Sequence, residues 1–191
     1  MLSDRKKIVV GLDMDGVIID STVLKIAVAK KLGFNLRPDE AQPGMIEAVL
    51  PSAALNILRE LVYFDPVAAL KSLLVRGAKD GLDLLKKSDL EYFLISRRPQ
   101  QDIAKQLLVK NKLWPDYFNS SNTFFVKDAD AKNTKAAMLE VTHYLDDQPK
   151  VLEKLVNIPN KFLLDRFDNF ANMPFEHIHV ASWKHFLKHI I

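Results

Sequence analysis

The sequence predicts an α/β fold: a parallel sheet with helices on both faces, broken after its first strand by a helical insert. Three observations carry this. From Gly77 onward, short apolar runs alternate regularly with segments of helical period, the pattern of strands joined by crossover helices. The first run, "KIVVGL" at residues 7–12, is apolar almost throughout, as a strand buried on both faces reads. Between them, the stretch from Ser21 to Arg76 is rich in helical pattern, with breaks at "RPDEAQPG", "LPSA" and "FDPV" and no convincing strand.

The elements follow in order. "GAKDGLDLLKKSD" (77–89) reads as a helix leading to the strand "EYFLI" (91–95). A helix around "QQDIAKQLLVKNK" (100–112) leads to "TFFV" (123–126), and one around "NTKAAMLE" (133–140) leads to "THYL" (142–145). "PKVLEKLV" (149–156) is a helix, "KFLLD" (161–165) and "HIHV" (177–180) are strands, and "SWKHFLKHI" (182–190) is a terminal helix. The expected organisation is a core of residues 1–20 and 77–191 with a helical cap over 21–76.

Composition narrows the class of protein. A chain of 191 residues with 48% hydrophobic residues is long enough for a sizeable core and is not of disordered type. No apolar run approaches the roughly 20 residues that span a bilayer, and charge interrupts the N-terminal stretch where a signal peptide would be apolar. Cysteine is absent, which excludes disulfide and thiolate chemistry and fits a cytoplasmic setting. The net charge of +3 comes from scattered lysines, so neither a nucleic-acid polymer nor a membrane is expected as partner.

The chemistry sits at strand ends. Asp13 and Asp15 follow the first strand, and Asp146 and Asp147 follow "THYL". In an open α/β sheet, ligands bind beyond the carboxyl ends of the strands. Gathering four carboxylates there is unfavourable unless a cation binds among them, and few carboxylates with room for water and phosphate suit Mg²⁺. "LISRRP" places Ser96 at the same edge, and Lys127, Lys132 and Lys135 precede the strand of Asp146. A carboxylate nucleophile, metal, hydroxyl and ammonium together make a phosphoryl-transfer set. Taken singly, each is ordinary turn, cap or surface chemistry; their shared order and edge give them weight.

"DMDGV", "ISRRP", a lysine ahead of the next motif and "LDD" resemble, in order, the four motifs of the haloacid dehalogenase-like superfamily. The resemblance covers nearly the whole chain apart from the cap. It implies a Rossmannoid core, a small cap after the first strand, and Mg²⁺-dependent hydrolysis of a phosphomonoester through an aspartyl-phosphate. On this resemblance Asp13 is the nucleophile, and Asp15 is the general acid and then base, with its backbone carbonyl on the metal. Ser96 and Arg97 hold the phosphoryl oxygens, Asp147 is the direct metal ligand, and Asp146 stands nearby or acts through water. Lys132 completes the site on helix-start placement, with Lys135 as the alternative and Lys127 behind both. An Asp at position 15 is the phosphatase and phosphomutase pattern.

"LLDRFDNF" and "VASWKHFL" resemble the 5'(3')-deoxyribonucleotidase-like branch, as does Arg98 in "SRRP". That branch implies a nucleotide as the small phosphorylated metabolite and a substrate contact for Arg98. A sugar phosphate or other metabolite is the alternative, and a catalytically silent binding protein on the same fold the next. Phe34, Tyr63 and Phe64 are the cap aromatics that could stack on a base. The histidines of "HIHVASWKHFLKH" fall away from the acids.

Overall fold

The structure is a computed structural model and describes residues 7–170 and 173–191; the first six residues of the expected core lie outside it. Strands β1 (Val9–Leu12) and β2 (Ile19–Asp20) lead to four helices, α1 (Thr22–Lys31), α2 (Ile46–Val49), α3 (Ser52–Tyr63) and α4 (Pro66–Ala69). After β3 (Leu73–Leu74), the chain alternates α5 (Ala78–Lys87), β4 (Glu91–Ser96), α6 (Gln101–Lys110), β5 (Thr123–Phe125), α7 (Ala129–Met138) and β6 (His143–Asp146). It closes with α8 (Pro149–Lys154), β7 (Asn160–Leu164), β8 (Ile178–Val180) and α9 (Trp183–Leu187).

Six strands form one parallel sheet in the order β5-β4-β1-β6-β7-β8. The chain fills one side of β1 first and then crosses to the other, so the order reverses beside β1. That reversal opens a crevice at the carboxyl edge. Side chains alternate between faces with the period of two that a strand imposes. Val10, Leu12, Leu94, Phe162 and Leu164 pack with Leu82, Leu107, Trp183 and Phe186 on one face. Val9, Ile95 and Leu163 pack with Ala136, Leu152 and Leu155 on the other. Trp183 anchors the terminal helix: its Nε1 donates to the Val17 carbonyl at 2.8 Å, and its ring occupies the space a Cβ on Gly81 would fill.

The four insert helices have a hydrophobic cluster of their own, centred on Leu24, Val28, Leu55, Leu58 and Val62. Asp65 caps α4 through the Ala68 N–H at 2.8 Å, and Pro66 begins that helix, a favoured N-terminal pair. Where the insert leaves the core, β2 and β3 pair antiparallel, Ile19 opposite Leu74 and Asp20 opposite Leu73. The sequence reading has no strand at 73–74, because two residues are too few to show a period. Among the boundaries that differ, α7 begins at Ala129, several residues before "NTKAAMLE", because Asp128 caps it by accepting from the Ala131 N–H at 2.8 Å. No helix among the described residues is long and apolar enough to cross a membrane.

Candidate active site

Asp13 stands immediately after β1, only 4% exposed. Its backbone N–H donates to the Leu145 carbonyl at 3.0 Å, extending the sheet by one bond. On the neighbouring strand β6 ends in Asp146, followed by Asp147, both buried. Asp13, Asp146 and Asp147 each offer a carboxylate oxygen within 4.8 Å of the others. Two strand ends across the sheet's switch point thus bring together acids far apart in sequence.

Lys132 reaches this cluster from the first turn of α7. Its Nζ donates to Asp13 Oδ1 at 2.6 Å and to Asp146 Oδ2 at 2.8 Å, and the side chain is essentially enclosed. Burial works against its charge, but the two carboxylates outweigh it and hold the ammonium well above its ordinary pKa. Lys135, three residues on, lies over the Phe124 ring at 4.8 Å. The Lys127 side chain is 84% exposed near Asp128, although it also lines the cavity. Of the three lysines, Lys132 alone meets the acids.

The two members of the second pair differ. Asp146 is fully engaged by protein: Oδ2 accepts from Lys132, and Oδ1 accepts from the Gln148 N–H at 3.0 Å. Burial pushes its carboxyl up to about 6, against the pull of Lys132. Asp147 Oδ1 is buried without a hydrogen-bond partner among the described residues, and burial raises this carboxyl well above its ordinary value, helped by Asp146 and Asp13. An orphaned buried carboxylate oxygen is unfavourable unless something cationic meets it. Gly16 makes room for Asp147: a Cβ there would fall 1.8 Å from Oδ2, and the residue sits at φ +79°, a region that favours glycine. Hard carboxylate oxygens, one unsatisfied, in a cradle cleared by a glycine fit a small divalent cation.

Asp15 points the other way, toward the insert. Burial pushes its carboxyl up, opposed by Arg98, whose Nη1 donates to Asp15 Oδ1 at 2.5 Å. Ser96 closes β4, almost wholly buried, and its Oγ accepts from the Arg98 N–H at 3.1 Å. Arg97 Nη2 donates to Gln148 Oε1 at 2.7 Å, leaving its fork beside the cavity. The cavity measures about 350 Å³; Asp13, Asp15 and Ser96 form its floor and Ile46, Leu55 and Leu58 its insert wall.

Sequence reasoning missed Lys25, on α1. It is 8% exposed, donates to the Ala41 carbonyl at 3.1 Å and lines the same cavity. Burial lowers its pKa against the attraction of Asp147 and Asp15. The available signal is a lysine beside Leu24 and ahead of Val28 on the buried face of α1. The insert's aromatics divide: Tyr63 lines the cavity, Phe34 packs against the insert's own core, and Phe64 is exposed outside the cavity wall. Arg98 also lines the cavity, with its side chain enclosed and its guanidinium bonded to Asp15 and to the Val62 carbonyl. His179 instead meets Asp165, at 3.1 Å, beyond β7.

No family model and no curated protein matches the chain. Solved structures do. A haloacid dehalogenase-like family hydrolase from Streptococcus pneumoniae superposes with TM-score 0.67 at 14% identity, covering 97% of this chain and 99% of that one. A predicted phosphatase from Clostridium acetobutylicum gives 0.63 at 15%, over 96% and 98%. A HAD family hydrolase from Deinococcus radiodurans, solved with bound phosphate and sodium, gives 0.58 at 15%, over 82% and 80%. At such identities the likeness is one of architecture, and it extends over nearly the full chain in the first two. The protein has the fold of the haloacid dehalogenase-like hydrolases.

Proposed function

We propose that the chain is a phosphomonoester hydrolase working through an aspartyl-phosphate on Asp13. One observation carries the reading: Asp13, Asp15, Ser96, Lys132 and Asp147 converge at one sheet edge, with the acid pair of Asp13 and Asp15 divided between two environments. Asp13 accepts a hydrogen bond from the Lys132 ammonium, which orients its carboxylate for attack on phosphorus. Asp15 is half-buried toward the insert, where desolvation outweighs Arg98 and favours its protonated form, as a general acid requires. Asp13 attacks, and the departing alkoxide takes the proton of Asp15. Asp15 then accepts a proton from water as that water attacks phosphorus, releasing phosphate and restoring Asp13.

Ser96 and Arg97 offer donors to the phosphoryl oxygens, and Lys132 balances charge on the Asp13 side. Asp13, Asp147 and the Asp15 carbonyl would hold Mg²⁺, with Asp146 behind them positioning Lys132. That ion supplies charge neutralisation between the acids and a dianionic substrate. The helical insert serves as the cap, and residues 21–76 contain the cavity wall that meets the leaving group.

For substrate, a nucleotide is supported by the resemblance of the C-terminal segment to the deoxyribonucleotidase-like branch. A cavity of about 350 Å³ is of a size for a small ligand. A sugar phosphate is the second reading, favoured by the aromatics: Phe34 and Phe64 do not line the cavity, and Tyr63 lies 5.2 Å from the Arg98 guanidinium. The test is a phosphate-ester panel with Mg²⁺. Preference for nucleoside monophosphates supports the first reading and preference for hexose phosphates the second. No turnover of any ester by folded, Mg²⁺-loaded protein would leave a silent binding protein.

A further inference from the structure

Arg98 joins the two halves of the molecule through one guanidinium. Nη1 donates to Asp15 Oδ1 at 2.5 Å on the core side. Nη2 donates at 3.0 Å to the carbonyl of Val62 in the insert. The Tyr63 ring lies 5.2 Å from its central carbon, within reach of a cation–π contact. Its backbone N–H is fixed by Ser96 Oγ at 3.1 Å, and its side chain is 0% exposed. Val62 and Tyr63 belong to the last turn of α3, where backbone carbonyls lack helical partners and the helix end attracts cations.

We infer that Arg98 is a positioning residue that makes proton transfer by Asp15 conditional on the insert being seated over the site. The inference rests on the phosphohydrolase reading and adds to it how the cap is coupled to the chemistry. The guanidinium is a rigid planar fork, so its two arms cannot reorient independently. Seating the insert places Val62 and Tyr63, these fix the plane of the fork, and the fork fixes the carboxyl of Asp15. An insert swung away takes both cap contacts with it and leaves Arg98 tethered only through its backbone and Asp15. A lysine in this position keeps the charge but has one compact ammonium, which loses the defined spacing between the two partners.

The test compares phenyl phosphate with p-nitrophenyl phosphate, esters of similar size whose leaving groups need protonation to very different degrees. In Arg98→Lys we expect kcat on phenyl phosphate to fall by about 10²-fold, the lower end of a general acid's usual contribution. On p-nitrophenyl phosphate the fall should be several-fold smaller, with KM little changed for either ester. Tyr63→Leu, which leaves the core acids untouched, should show the same leaving-group bias at smaller amplitude. Equal losses of kcat on both esters in the two variants overturn the inference, as does a rise in KM with kcat unchanged, the sign of simple substrate binding. If Arg98→Lys fails to fold, Tyr63→Leu decides by the same criterion. An unaltered chain that hydrolyses neither ester overturns the hydrolase reading itself, and the inference falls with it.

Discussion

Asp13 and Asp15 are separated by one residue and by nearly everything in their surroundings. Lys132 meets the first at 2.6 Å and Arg98 the second at 2.5 Å, so neutral substitutions should separate their roles. If Asp13 is the nucleophile proposed, Asp13→Asn replaces its carboxylate with an amide that cannot form the acyl-phosphate, and turnover should vanish from steady-state assays of any phosphate ester. Asp15→Asn retains the attack and loses proton transfer, a deficit of about 10² to 10⁴ that shrinks as the leaving group improves. Near-native rates in Asp13→Asn would show that another group is the nucleophile. Gly16 makes a different prediction, because its Cβ space is taken by Asp147 Oδ2 at 1.8 Å. Gly16→Ala combines that clash with a left-handed backbone and should destabilise the fold by more than about 1 kcal/mol. It should also weaken Mg²⁺ binding; a calorimetric metal titration matching the unaltered chain would detach Gly16 from the metal cradle.

At the scale of elements, one acid and one loop add to the junction between sheet and insert. Asp20, at the end of β2, accepts from the Thr22 N–H at 2.9 Å and from Arg166 Nη1 at 2.7 Å. Arg166 follows β7, and further along the same loop Asn169 Nδ2 donates to the Asp39 carbonyl of the insert at 3.0 Å. Burial raises the Asp20 carboxyl, but its bonds to Arg166 and Thr22 prevail and hold it below the usual 3.8. A depressed carboxylate stabilises the fold above its unfolded pKa, and that contribution is lost as pH falls through the lower folded value. Asp20→Asn should therefore lower the melting temperature at neutral pH and flatten its decline toward acid. Parallel melting curves for the two proteins from neutral pH down to about 3 would remove this pair from the junction's stability.

Over the whole molecule, the sheet brings close the acids that the proposed metal would join. Without a metal, Asp13, Asp146 and Asp147 share a buried space, and among the described residues Lys132 is the one cation paired with any of them, meeting Asp13 and Asp146. A ligand that binds the folded state alone raises stability by mass action. Mg²⁺ should therefore raise the melting temperature of the unaltered chain, EDTA should abolish hydrolysis of an aryl phosphate, and added Mg²⁺ should restore it. Asp147→Asn should show neither the thermal shift nor the rescue. Full activity in excess chelator would exclude the metal from the reaction, and an undiminished thermal shift in Asp147→Asn would place the ion elsewhere.

How much of this the sequence determines depends on the range over which each interaction acts. The α/β class, the parallel strands and the helical interruption after β1 were legible because period, length and turn residues are local properties. The strand-end positions of Asp13, Asp15, Ser96, Asp146 and Asp147 were legible too, since a parallel sheet puts every strand's carboxyl end on one edge. The lysine was only half legible. Lys132 and Lys135 differ by less than one helical turn, and only the direction of α7, set by the Asp128 cap and the packing of Ala136, points Lys132 inward. The β2–β3 ribbon was hidden because its strands are two residues long and its partners lie more than fifty positions apart. Lys25, the orphaned oxygen of Asp147 and the Arg98 bridge to Val62 were hidden for the same reason. Each is defined by what another segment places against it, and burial and pairing between distant segments exist only once the tertiary structure has formed.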